Sequence, residues 1–145
     1  MICISACLAG LNCKYSGGNN EVPQLRKLLE EGKAVPVCPE QLGGLPTPRS
    51  CSEIRDGRVI NTKGEDVTAE FEAGAEKALA ILREHGCTMA VLKSRSPSCG
   101  PDGIYDGTFS HRVVPGMGCF ARLLKEQGIP CLSEEEYLEE EHECL

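Results

Sequence analysis

The chain has 145 residues, 41% hydrophobic and 26% charged, enough for the core of one domain and unlike a disordered segment. A net charge of −7 excludes a broad nucleic-acid footprint, which needs a basic face. With ten cysteines, no Trp and 4% aromatics, the core must be built from Val, Ile, Leu and Ala, and the thiols need an explanation.

In chain order, residues 2–6 (ICISA) read as a short buried strand running into a Gly/Asn-rich loop. Residues 22–31 place Leu25, Leu28 and Leu29 at helical spacing, closed by Gly32. Ala34 to Val37 is a second strand that runs into Cys38, and a Gly/Pro-rich loop follows from Pro39 to Arg49. Residues 53–62 read as a hairpin around Asp56-Gly57. The longest helix spans 66–85, with Asp66 as N-cap and Val67, Phe71, Ala75, Ala78, Leu79 and Leu82 on one face.

Thr88 to Leu92 is a third buried strand, followed by the loop KSRSPSCGPDG and a short strand pair around IYDGTF. After a Gly-rich turn at Pro115–Gly118, a helix over 118–127 ends at Gly128 and Ile129 to Leu132 forms a fourth strand. Ser133 and Glu136 form a capping box that opens a short acidic helix. Strands alternating with helices give a single α/β domain over 1–145, a small, mostly parallel sheet flanked by helices in a Rossmann-like three-layer arrangement.

In such sheets ligands bind beyond the carboxyl ends of the strands, and this rule sorts the thiols. Cys7, Cys38 and Cys99 each follow one of the first three predicted strands and can converge at one edge. Cys3, Cys87, Cys119 and Cys131 fall in or at the start of elements and read as small buried hydrophobes. Cys144 lies in the acidic tail beside His142, Cys51 is undecided, and Cys13 is a further ligand, a redox thiol or a structural residue. The N-terminal segment has no basic n-region and no run reaches the length of a membrane span, so the expectation is a cytoplasmic protein with reduced thiols, free of membrane and DNA.

Structural zinc favours four ligands, commonly in CxxC pairs, and the chain has no CxxC. Three converging thiolates suit a [4Fe–4S] cluster with an open fourth iron better, while a zinc site drawing on Cys7, Cys13, Cys38 and Cys99 stays open. The histidines, His85, His111 and His142, sit at a helix end, in a loop and in the tail, which disfavours a Cys–His nucleophile. Glu40, two residues past Cys38, is a candidate acid/base, against the plainer reading of a partner for Arg49; Glu53 and Asp102 are further carboxylates. Ser96 and Ser98 precede Cys99, and Lys93 and Arg95 bring positive charge to the same rim. Gly17-Gly18 and Gly43-Gly44 are candidate backbone cradles, although each pair alone reads as a tight turn.

Together SACLAG…CKYSGG, VCPEQLGGLPTPR, LKSRSPSCG, IYDGTF and GIPCLSEEE resemble the TudS-like family of 2-thiouracil desulfidases, from about Ile2 to Tyr137. The resemblance implies a [4Fe–4S] cluster on Cys7, Cys38 and Cys99, with the fourth iron free for the sulfur of a thiolated base. It also implies Glu40 and Ser96 as catalytic residues, Glu40 assisting an attacking water and Ser96 holding base or water. Oxo base and sulfide would be the products, from a small thiolated pyrimidine base or nucleoside. Tyr15, Gly17, Lys93 and Ser98 are the candidate substrate-binding residues. Where the family pattern reads Tyr-Asp-Gly this chain has Tyr15-Ser16-Gly17, with Asn19 and Asn20 at hand as replacements, and Cys51 stands where an apolar residue or Pro is expected. A non-enzymatic carrier of iron–sulfur clusters or sulfur would use the same cysteines without needing Glu40; a zinc hydrolase is the third reading.

Overall fold

The computed structural model describes residues 1–143. Four short apolar segments form one parallel sheet: β1 (Ile2–Ser5), β2 (Ala34–Val37), β5 (Met89–Leu92) and β8 (Cys131–Ser133), in the order β2-β1-β5-β8. Register pairs Ser5 with Val37 and Ile4 with Val91, so β1, β2 and β5 end at one level. The chain passes from β1 to one neighbour, then returns on the other side at β5. The order therefore reverses between β1 and β5, where open α/β sheets place their ligand crevice.

Helices cover both faces, as expected. Alternate residues along the strands point to opposite layers. Cys3, Val37, Ala90 and Leu92 pack with α3 (Thr68–Glu84) and α4 (Cys119–Glu126) through Ala78, Leu82, Phe120 and Leu124. Ile4, Ala34 and Val91 pack on the other side with Leu25 of α1 (Pro23–Glu30) and Tyr137 of α5 (Glu134–Glu143). Cys144 lies outside the described residues. Cys3, Cys87 and Cys119 are buried among apolar neighbours and Cys131 is half-buried beside them. No helix among the described residues is long and apolar enough to cross a membrane.

The Asp56-Gly57 hairpin forms as β3 (Ser52–Arg55) and β4 (Arg58–Asn61), and β6 (Gly103–Tyr105) pairs with β7 (Val113–Pro115) across the loop between them. Ser133 and Glu136 form the capping box, each side chain bonding the other's backbone N–H at 3.1 Å. Several details differ from expectation: the fourth strand is Cys131–Ser133 rather than 129–132, and the second strand of the pair around IYDGTF lies beyond that run, at Val113–Pro115. Asp66 lies one residue outside the N-cap position: α3 begins at Thr68, whose N–H Asp66 Oδ1 accepts at 2.9 Å. The loop after Cys38 opens with a one-turn helix, α2 (Pro39–Leu42), because proline is pre-organised for a first helical position and its missing N–H costs nothing there.

Glycine sets how α2 meets α3. Gly43 and Gly74 face each other across the contact, and a methyl group on either would overlap backbone, that of Glu70 for Gly43 and that of Pro39 for Gly74. Gly43 is thus needed for packing rather than for a ligand cradle. The close approach fixes the turn that carries Glu40.

Candidate metal and active site

Beyond the ends of β1, β2 and β5 lies a cavity of about 310 Å³. Cys7 reaches it from the short 3-10 turn after β1 (Ala6–Ala9), Cys38 from the residue after β2, and Cys99 from the loop after β5. Cys13 and Cys51 line it too. Of the candidate site residues, Glu40, Ser96, Tyr15, Lys93 and Ser98 all line this cavity, whereas Gly17 does not. Gly17 instead closes a turn on the Lys14 carbonyl, with φ at +86°. Of the further carboxylates, Glu53 lines the cavity, whereas Asp102 is exposed and lies outside the lining.

The thiols differ in their surroundings. Burial raises the Cys7 thiol, against the Asn20 amide, which lies 3.6 Å from its sulfur, and against nearby Lys93. Asn20 thus faces the site, whereas Asn19 bonds Asn12 away from it. Burial also pushes the Cys99 thiol up to about 12, opposed by Ser5 and Ser98. Cys13 and Cys38 are tightly coupled: their contact raises Cys13 and lowers Cys38, which burial opposes and the Gln41 backbone N–H and Arg49 assist. Arg49 and the Gln41 N–H thus favour the thiolate at Cys38. Cys13 also offers its backbone carbonyl, which accepts from Arg49 Nη2 at 2.9 Å and lies 3.7 Å from Cys38 Sγ.

A chain of polar contacts forms one wall. Arg49 Nε donates to Glu40 Oε1 at 3.0 Å, with side-chain exposures of 5% and 15%, so the plainer expectation of an Arg49 partner also holds. Ser98 Oγ donates to Glu40 Oε2 at 2.9 Å, and Ser96 Oγ lies 3.0 Å from Ser98 Oγ. Since the Ser98 hydroxyl proton is directed to the carboxylate, the stronger acceptor, Ser96 supplies the proton between the two hydroxyls. Ser96 Oγ accepts in turn from the backbone N–H groups of Ser98 and Cys99 at 3.2 and 3.0 Å. The serine that precedes Pro97 thereby shapes the turn that presents Cys99.

On the opposite side, Lys93 Nζ lies 3.4 Å from Glu134 Oε1 and 3.0 Å from the Ser94 carbonyl. Arg95 is half-exposed and pairs with Glu135 at 3.6 Å. Tyr105, at the end of β6, and His111, in the loop between β6 and β7, also line the cavity, and residue type alone does not mark them. The scarcity of aromatics is a sequence signal that could have marked Tyr105, and none marks His111.

Among the described residues, no group of three or more His, Cys, Asp or Glu is arranged around one point to hold a single metal ion. The thiols instead surround a space. A cubane distributes three thiolates over three irons, so the donor set, all sulfur and from three separate loops, suits a cluster better than one zinc.

Comparison with known proteins agrees with this chemistry. A curated relative, the uncharacterized protein YbbK of Bacillus subtilis (strain 168), is 42% identical over 146 residues, covering 94% of this chain and 97% of its own. A solved structure described as the [4Fe-4S]-dependent thiouracil desulfidase TudS superposes with a TM-score of 0.90 at 42% identity, covering 95% of this chain and 93% of that one. The sequence model of the 2-thiouracil desulfurase family matches residues 2–136, and the chain belongs to that family.

Proposed function

We propose that this protein is a [4Fe–4S]-dependent desulfidase that converts a thiolated pyrimidine such as 2-thiouracil into its oxo base and sulfide. The observation that carries this reading is the convergence of Cys7, Cys38 and Cys99, from three strand ends, on the cavity that Glu40 also lines. Family membership and the likeness to TudS support it. When bound by three thiolates, such a cluster supplies an iron without a protein ligand, a Lewis acid with affinity for soft sulfur. Cys7, Cys38 and Cys99 are the residues that would hold it.

The rest follows from this chain's own groups. The net change is hydrolytic: water supplies the new carbonyl oxygen, and its two protons leave with the sulfur as hydrogen sulfide, with no net oxidation. Glu40 accepts a proton from the attacking water as general base. Arg49 fixes its carboxylate through Oε1, and the Ser98–Ser96 pair extends the proton path from Oε2 along the wall. Lys93 contributes a positive charge beside Cys7.

The test is anaerobic incubation of iron-reconstituted protein with 2-thiouracil, following the loss of thione absorbance. The expected result is turnover that Glu40→Gln abolishes without loss of iron. A loaded protein that leaves 2-thiouracil intact, with Glu40→Gln indistinguishable, would instead support a carrier of clusters or sulfur.

A further inference from the structure

We propose that Tyr105, at the end of β6, and His111, in the loop 106–112 that follows, form the wall that contacts the pyrimidine ring, and that Glu53 is the positioning residue holding this wall. The inference rests on the reading of the cavity as a site for a thiolated pyrimidine and adds to it the residues that recognise the ring.

Ring-bearing side chains are scarce, with three Phe, three Tyr and no Trp. Phe71 and Phe120 are fully buried in the core, and Tyr137 packs against it. Tyr15 and Tyr105, with His111, line the cavity instead. The Tyr105 and His111 rings meet edge to face, with centroids 5.9 Å apart and planes at 83°. A flat heteroaromatic ligand is recognised by ring contacts together with hydrogen bonds at its edge, and a phenol beside an imidazole offers both.

The loop's own hydrogen bonds, the Thr108 N–H to Asp106 Oδ1 and the Asp106 N–H to the Arg112 carbonyl, both at 2.9 Å, are joined by contacts from outside it. Gly107, Phe109 and His111 all have left-handed φ, at +91°, +58° and +62°, a conformation that side chains other than glycine adopt rarely and only when their surroundings enforce it. Here the β3–β4 hairpin helps to enforce it at Gly107 and Phe109. Glu53, 5% exposed, commits Oε1 to the backbone N–H groups of Gly107 and Phe109 at 3.0 and 3.1 Å. Arg55 grips the next peptide along, its Nε and Nη2 donating to the Gly107 carbonyl at 3.0 and 2.6 Å. Gly107 lies so close that a Cβ there would fall 2.7 Å from that of Arg55 and 2.9 Å from the Ile54 carbonyl oxygen. A buried carboxylate and a guanidinium thus hold the two peptides on either side of Gly107, in the segment between Tyr105 and His111.

Two measurements on the iron-loaded protein test this: steady-state kinetics with 2-thiouracil, and equilibrium dialysis with labelled uracil, which needs no turnover. His111→Ala is expected to raise KM and weaken uracil binding about tenfold, with kcat within about threefold. Glu53→Ala and Arg55→Ala should do the same. Arg55 does not line the cavity, so its effect can come only through the loop. Glu53→Gln should restore both values to within about threefold, because the amide oxygen still accepts both N–H groups. Unchanged KM and uracil binding in His111→Ala and Arg55→Ala would overturn the proposal. Glu53→Gln as impaired as Glu53→Ala would overturn the positioning role. A native chain that binds uracil through His111 without desulfurising 2-thiouracil would overturn the proposed reaction and leave this wall standing.

Discussion

Ser98 Oγ donates to Glu40 Oε2 at 2.9 Å, joining the loop after β5 to the first turn of α2. The contact places the candidate base and the turn that carries Cys99 in one hydrogen-bonded unit, with Arg49 on the other carboxylate oxygen. Glu40→Gln keeps the side chain's shape and an acceptor oxygen but cannot take a proton. It should lower kcat by about 10²–10⁴, the range for loss of a general acid or base, with iron content unchanged. Single-turnover loss of thione absorbance checks this, and a loss below about threefold would remove Glu40 from the chemistry.

The ligand set is a sharper matter, because Cys13 touches Cys38 and lines the same cavity. Replacing Cys7, Cys38 or Cys99 by Ala should each abolish iron and acid-labile sulfide after anaerobic reconstitution. Cys13→Ala and the core variant Cys87→Ala should retain both. If Cys13→Ala empties the site as fully as Cys38→Ala, Cys13 is a ligand and no iron is left open.

How α2 rests on α3 determines where Cys38 and Glu40 stand. Gly74→Ala would place a methyl group against the Pro39 carbonyl, and overpacking of this kind costs about 1–3 kcal/mol. Thermal unfolding should show a lower Tm, and activity per folded molecule should fall as well, since α2 must shift to accommodate the methyl. Ala73→Gly, on an exposed position of the same helix, should lose only the propensity difference of about 1 kcal/mol and leave activity per folded molecule intact.

Glu134 links stability to pH. Burial opposes its ionisation, but the Ser94 hydroxyl and backbone N–H, with Lys93 facing them, hold its carboxyl below the ordinary value. A depressed native value gives stability that is fully present above the unfolded value of about 4.3 and is lost as pH falls through the native one. Glu134→Gln should therefore melt below the native chain at neutral pH, with the two Tm curves converging toward the acid end. A constant gap across the whole range would contradict the assignment.

The sheet was legible in the sequence because each buried strand is a short apolar run between turn residues, and the strand-end rule then placed Cys7, Cys38 and Cys99 at one rim. Local reading could not extend to contacts made across the chain. Nothing around Cys13 shows that it meets Cys38, 25 residues away, and nothing around Glu53 shows that it holds Gly107 and Phe109. The α2 turn lacked the length for a periodic pattern, and Gly43 read as a turn residue because its partner, Gly74, lies in another helix. Gly17 shows the opposite error: its turn conformation is visible in the sequence, but in that turn it is Lys14 and Tyr15, not Gly17, that reach the cavity.

The most direct test of the account is metal and sulfide analysis of anaerobically reconstituted protein, followed in the same sample by turnover of 2-thiouracil. The account predicts about four iron and four acid-labile sulfide per chain, and one further sulfide released for each 2-thiouracil converted to uracil. One zinc per chain with no iron, or a full cluster that releases no sulfide from 2-thiouracil, would contradict it.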